Sequence, residues 1–252
     1  QALGGCLFHI LIIIFFVTIN LVKDLFLDRF IPLYSFHNLM SKIVVMYRVK
    51  NEERWIEQSI KSVYDFCDEI VIFDDNSTDN TKKICTQFDK VVEIHSKTDS
   101  TFDEARDRNL LLKMAVKRKP DVLLSLDGDE IFLPASGKII EEEIDILHAE
   151  EHVFEFQLFT LWDSFNQIRV DGAFSSFWQK RMFRLKDQPS DLKINDSPYP
   201  GNFHCGSIPT NTVGIDNSVK SNAKIFHCAS FDETLRKKKH EWYVSRDPNN
   251  PL

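Results

Sequence analysis

Two acidic clusters stand where hydrophobic runs stop. Asp74-Asp75-Asn76-Ser77-Thr78-Asp79 follows Glu69-Ile70-Val71-Ile72-Phe73, and Asp127-Gly128-Asp129-Glu130 follows Val122-Leu123-Leu124-Ser125-Leu126. A short, continuous apolar run reads as a buried parallel strand, and open α/β sheets bind ligands beyond the carboxyl ends of such strands. Both clusters therefore open onto one crevice. Carboxylates crowded there repel one another unless a cation or a set of donors compensates them, so the economical occupant is a divalent metal carrying a phosphorylated ligand. The chemistry expected is that of an enzyme acting on a nucleotide-linked substrate.

The elements that must position these acids alternate. Lys42 to Tyr47 reads as a first strand, and Asn51 as the N-cap of a helix running to about Phe66, with Ile56, Ile60, Val63 and Tyr64 on one stripe. Glu69 to Phe73 is a second strand, Thr81 to Phe88 a helix, Lys90 to Ile94 a third strand, Glu104 to Lys117 a helix stopped by Pro120, and Asp121 to Leu126 a fourth strand. This order specifies an α/β fold with a parallel sheet and right-handed crossovers. After Pro134 the pattern changes to a helix from Ile139 to His148, an alternating strand from Val153 to Phe159, a strand from Phe177 to Leu185, a loop-rich stretch from Asp187 to Asn217, a strand near Lys224-Ile225-Phe226 and a last helix from about Asp232. Residues 39–134 read as the nucleotide-binding half of a domain spanning 39–252, and residues 135–252 as a mixed half that would shape the second substrate's site.

At 252 residues the chain has room for one domain with embellishments. A formal charge of −7 argues against nucleic acid as partner, because phosphate-backbone binding needs a basic face. The five cysteines show no CxxC pair and read as reduced. Residues 1–38 are a hydrophobic segment; from Gln1 to Val22 there is no charge, and about 20 apolar residues suffice to cross a bilayer. Association with a membrane through residues 3–22 is expected. With Lys23, Arg29 and Lys42 on its C-terminal side, the catalytic domain would face the cytosol. The alternatives are a cytoplasmic protein whose hydrophobic helix packs on the domain, or a signal-like segment.

In order along the chain, Val44 to Glu53, the Asp74 to Asp79 loop, Arg106-Asp107-Arg108-Asn109 and Asp127-Gly128-Asp129-Glu130 resemble glycosyltransferase family 2. Phe226-His227-Cys228 with Arg236, Lys239, Tyr243 and Asp247-Pro248 resembles the ending of a bacterial-type subgroup. The resemblance covers about Lys42 to Pro248. It implies the GT-A fold, a Rossmann-like and mostly parallel central sheet with helices on both faces plus a smaller mixed C-terminal part.

The resemblance also assigns roles. A sugar nucleotide leaves as a nucleoside diphosphate, and a divalent metal, Mn2+ or Mg2+, would stabilise the charge on the leaving phosphate. Asp129 is the expected metal ligand, Asp127 holds the ribose or assists the metal, Gly128 lets the backbone approach closely, and His227 completes the metal site, with His204 as its rival. Asp75 would accept a hydrogen bond from the nucleobase, with Asp74 supporting the loop. Tyr47 and Arg48 could line the base and ribose pocket, simple packing being the other reading of Tyr47. One of Arg106 and Arg108 would reach the diphosphate, since residues two apart on a helix face different ways. Arg236 and Lys239 would neutralise diphosphate from the last helix. For the base that deprotonates the acceptor hydroxyl the family's usual Glu-Asp pair is missing. Asp163 and Asp171 are the candidates, with Glu155 behind them.

The expected activity is transfer of a sugar from a nucleoside-diphosphate donor to a hydroxyl of a glycan, lipid-linked or protein acceptor, with inversion, as in cell-surface glycan or lipopolysaccharide synthesis. A membrane-tethered, non-catalytic nucleotide-sugar-binding module is the alternative. A sugar-phosphate nucleotidylyltransferase is disfavoured because Tyr47 to Asn51 lacks a Gly-rich phosphate loop.

Overall fold

A computed structural model describes residues 41–146 and 152–245. The apolar N-terminal segment lies outside the described residues. Among those described, no helix is long and apolar enough to cross a membrane.

Nine strands form one sheet in the order β3-β2-β1-β4-β8-β6-β9-β5, with β7 paired to β6. β1 (Ile43–Val49), β2 (Glu69–Asp74), β3 (Val91–Ser96) and β4 (Val122–Asp127) are mutually parallel, as the continuous apolar runs require. The sheet then becomes mixed. β8 (Trp178–Arg184) runs antiparallel to β4, β6 (Val153–Trp162) antiparallel to β8, β9 (Val219–His227) parallel to β6, and β5 (Glu130–Phe132) antiparallel to β9. β7 (Ser164–Ile168) returns beside β6 as a hairpin.

The two sides of β1 explain the layers. Val45, Tyr47 and Val49 face α1 (Ile56–Val63) and its Ile56, Ile60 and Val63, while Val44 and Met46 face α3 (Glu104–Lys117) and its Leu111, Leu112 and Ala115. Successive residues of a strand point to opposite faces, so a strand apolar throughout needs a helix on each. α4 (Ser136–Ile146) adds Ile140 and Ile144 to the first face. α2 (Thr81–Cys85) is a single turn or so after the first acidic loop, and α5 (Glu233–Val244) closes the described chain.

Three expectations change. α1 begins at Ile56, not after Asn51, because Asn51 takes a left-handed φ of 55° and its side chain accepts from Thr78 N at 2.8 Å. The Glu52 amide donates to Thr81 Oγ1 and Asn80 N to Glu53 Oε2, so this segment is tied to the acidic loop before the helix can start. α2 ends three residues short of Phe88. β5 and β7 lack a sequence signal: β5 is three residues long, and four of the five β7 residues are exposed.

Ile72 lies at the centre of β2 with no exposed surface. Ile72→Ala should lower the unfolding free energy by about 2–5 kcal/mol, the range for truncating a large aliphatic side chain in a close-packed core. Chemical denaturation measures it; a loss below about 1 kcal/mol would mean that the parallel core is not packed as described.

Candidate functional site

β1, β2 and β4 end together, and their carboxyl ends carry the acids. Asp127 is the last residue of β4, and Arg108 Nη2 donates to its Oδ1 at 3.0 Å while Arg181 Nη2 donates to its Oδ2 at 3.2 Å. Arg108 comes from α3 and also donates from Nε to Glu104 Oε1 at 2.8 Å. Arg181 comes from β8 and bonds Glu130 and the Ser207 hydroxyl as well. Burial alone would raise the Asp127 carboxyl; the guanidiniums of Arg108 and Arg181 outweigh it and hold the carboxyl well below the usual range. Burial likewise raises the Glu130 carboxyl, with Arg181 pulling the other way.

Asp127 is thus paired with a protein cation on each oxygen, an arrangement that differs from the metal-assisting role expected of it. Asp129 is placed differently. β5 pairs Glu130 with His227, and Cys228 N donates to Asp129 O at 2.8 Å, which brings Asp129 Oδ2 within 3.7 Å of His227 Nε2. Burial pushes the imidazole down to about 4 against the pull of Asp129, so His227 is neutral at pH 7. Its Nδ1 is buried without a partner among the described residues. A neutral imidazole and a carboxylate separated by more than a hydrogen bond form a donor pair that one divalent cation could share, since each such bond is about 2.1 Å long. Among the described residues no group of three or more His, Cys, Asp and Glu is arranged to hold a metal. Any metal would draw its remaining ligands from substrate and water.

Glu52 adds a carboxyl that the sequence reading had placed in the first turn of a helix. A Cβ on Gly128 would lie 2.7 Å from Glu52 Cγ, so Gly128 leaves room for Glu52 rather than for a ligand. Burial, and then Asp129, push the Glu52 carboxyl up to about 9.

At the end of β2, Asp75 is 1% exposed. Lys97 Nζ donates to its Oδ1 at 2.7 Å and Arg48 Nη2 to its Oδ2 at 2.8 Å, with Lys50 Nζ 3.5 Å away. Lys97 also meets Asp107 at 3.3 Å. With both oxygens taken, Asp75 is not open to a nucleobase; Arg48 and the half-exposed Lys50 are the groups presented there. Asp74 supports the loop as expected, its Oδ1 accepting from Ser77 N at 3.0 Å.

Tyr47 is a correction. It faces α1, has no exposed surface, and its hydroxyl accepts from Ser59 Oγ at 3.1 Å. The packing reading holds, because its position on β1 points it into the core. Of the two arginines on α3, Arg108 turns inward and Arg106 lies half-exposed against Asp107 at 2.8 Å. Arg106 is therefore not placed to reach a diphosphate.

A cavity of about 880 Å³ opens beside these acids. Its walls include Arg108, Asp127, Glu130 and Arg181, then Trp162 from the end of β6 with Phe174 and Phe177 from the segment between β7 and β8, and Arg236 and Lys239 from α5. The expected bases do not line it. Asp163 is half-exposed and held by Arg236 Nη1 at 2.8 Å, Asp171 is exposed and bound by Arg169 at 2.7 Å, and Glu155 bonds the Ser218 hydroxyl. Sequence reasoning missed Arg181, Lys97, Glu104 and Glu52. Lys97 lies three residues past the predicted end of the third strand and directly after its observed end at Ser96; Arg181 carried only its place inside a predicted strand.

The acidic loops, α3 and the strands that aim them fall within one family match. Residues 43–152 match the model of Glycosyl transferase family 2. Residues 43–152 are a family 2 glycosyltransferase region. It runs from β1 to the residue before β6 and contains Arg48, Asp75, Arg108, Asp127 and Asp129, whereas Arg181, His227 and α5 follow it. No curated protein matches the chain. Among solved structures, S. aureus TarS 1-349 is similar at 19% identity over 82% of this chain and 66% of that one, with a TM-score of 0.47. The same protein in complex with UDP is similar at 23% identity over 51% and 38%, with a TM-score of 0.40. Glucosyl-3-phosphoglycerate synthase from Mycobacterium tuberculosis in complex with Mn2+ and UDP-glucose is similar at 17% identity over 50% and 45%, with a TM-score of 0.36. The chain spans less than two thirds of each of these structures.

Arg181 and Arg106 differ in what they hold, and stability should show it. Arg181→Met leaves Glu130 buried beside a half-paired Asp127 and should cost about 3–5 kcal/mol, as for any buried pair broken on one side. Arg106→Met should cost less than about 1 kcal/mol, because that pair is solvent-screened and Asp107 keeps Lys97. Equal losses in urea unfolding would contradict the placement of Arg181.

Proposed function

We propose that this chain is a metal-dependent glycosyltransferase that moves a sugar from a nucleoside-diphosphate donor onto an acceptor hydroxyl, with inversion at the anomeric carbon. The observation that carries this reading is Asp129 held 3.7 Å from a neutral His227 beside the cavity walled by Arg108 and Arg181. A bound Mn2+ or Mg2+ would act there as a Lewis acid on the leaving diphosphate.

The chain's own residues do the rest. Asp129 and His227 would bind the cation, while Arg236 and Lys239 on α5 add positive charge across the cavity from the sheet. Arg108 and Arg181 compensate Asp127, so that the cavity floor does not repel a polyphosphate. Arg48 and Lys50 would meet the nucleoside at the end of β1. Trp162, Phe174 and Phe177 offer flat apolar faces on which a sugar of a glycan acceptor can lie. A lipid-linked or lipopolysaccharide-type acceptor would suit a chain held at a membrane by residues 3–22 with this domain in the cytosol.

The test is release of nucleoside diphosphate by the purified full chain from a panel of UDP-, GDP- and dTDP-sugars with manganese. One donor should be hydrolysed slowly without acceptor, and Asp129→Ala should lower that rate at least about 100-fold, the scale on which removing a group that stabilises developing charge acts. Binding of UDP and manganese with no release from any donor would instead support a non-catalytic nucleotide-sugar-binding module.

A further inference from the structure

We infer that Arg181 is a positioning residue of the metal site: by clamping both ends of the Asp127-Gly128-Asp129-Glu130 turn it fixes where the Asp129 carboxylate stands, and so which divalent cation the site takes. The inference rests on the metal-dependent reading above. The composition of the turn is what makes a clamp necessary. Its second residue, Gly128, has no Cβ to restrict the backbone, and its third is the residue whose carboxylate must face His227.

One guanidinium spans the turn. Arg181 Nη2 donates to Asp127 Oδ2 at 3.2 Å and also to Glu130 Oε1. The other oxygen of Glu130 accepts from the Asp127 amide at 3.1 Å, which closes a ring from the first residue of the turn to the fourth. Arg181 Nη1 donates to the Ser207 hydroxyl, so the guanidinium is itself tied to the loop that lines the cavity with His204, Gly206 and Ser207. Arg181 and Glu130 are both buried, and a charge-assisted fork in such a setting holds its geometry more firmly than one exposed to water.

From Glu130 the constraint reaches the metal site through the backbone. Glu130 pairs with His227 where β5 meets β9, and the amide of the next residue, Cys228, donates to Asp129 O at 2.8 Å. Holding the Glu130 side chain therefore holds the strand that sets Asp129 Oδ2 3.7 Å from His227 Nε2. Of this turn Arg108 holds only Asp127, and Arg106 pairs with Asp107 instead. The spacing of two donors selects between cations. Mg2+ requires bonds of about 2.0–2.1 Å in near-ideal octahedral geometry, whereas Ca2+ accepts about 2.3–2.6 Å in irregular geometry. A turn held rigid favours the small cation, and a turn set free favours the large one.

The experiment titrates Mn2+ into the full chain with UDP, GDP and dTDP in turn, reads free Mn2+ by electron paramagnetic resonance, and then displaces the bound ion with Mg2+ and with Ca2+. Arg181→Lys keeps the charge but not the planar fork, and Glu130→Gln keeps the size but leaves one acceptor where Glu130 has two. Each should weaken Mn2+ and Mg2+ about tenfold or more, the scale on which loss of a group behind a metal ligand acts, while Ca2+ affinity changes less than about threefold. Arg106→Met should leave all three affinities within about twofold of the parent, because its solvent-screened pair lies apart from the turn. Equal weakening of Mg2+ and Ca2+ in the two variants means a general loss of structure, and unchanged Mn2+ affinity means that Asp129 is not held by this clamp. Either result, in a parent protein whose Mn2+ binding is lost in Asp129→Ala, overturns the role of Arg181 and leaves the metal-dependent reading standing. Absence of Asp129-dependent Mn2+ binding by the parent overturns both.

Discussion

Asp127 stands at the carboxyl end of β4 with a guanidinium on each oxygen, and the site is arranged around that neutralisation. A carboxylate taken out of water costs several kcal/mol unless paired, and a pair that loses one member leaves the other uncompensated. Arg108 and Arg181 come from opposite ends of the chain's logic, one from the helix before β4 and one from a strand in the mixed half. Their meeting at Asp127 joins the parallel half of the sheet to the antiparallel half electrostatically, where β4 and β8 join them by hydrogen bonds.

The same constraint separates the two aspartates of Asp127-Gly128-Asp129. They are equivalent in sequence but not in surroundings. Asp127 faces cations that the protein supplies, whereas Asp129 faces Glu52 and a neutral His227, groups that add no positive charge. A carboxylate without a directly paired protein cation favours an external one, and a carboxylate already paired on both oxygens does so less. The division of labour is therefore set by β5, whose pairing with β9 brings Asp129 and His227 together, and by Gly128, which gives Glu52 room to lie across the turn.

How much of this was legible depends on the range of the interactions. The four parallel strands and α3 from Glu104 to Lys117 follow from local pattern, and the structure has them within a residue or two. That only one of Arg106 and Arg108 turns inward follows from helical periodicity; that it is Arg108 was decided by the structure. The N-terminus of α1 was misread because Asn51 and Glu52 bond to residues nearly 30 positions away, and long-range partners override a local capping preference. Tyr47 was ambiguous because a strand apolar on both faces gives no sign of which end of an aromatic ring meets the cavity.

The sequence by itself determined the order of strands and helices, the parallel sheet, and the placing of both acidic loops at one edge of it, because apolar periodicity and chain chirality leave few other arrangements. Which acid is paired with protein cations, which histidine meets Asp129, and the removal of Asp163 and Asp171 from the cavity wall were decided only by the tertiary structure. These depend on contacts such as Arg181 to Asp127, Lys97 to Asp75 and Glu130 to His227 across the sheet. Charge compensation acts through space over a few ångströms, and the linear order of residues does not record which charges the fold will bring that close.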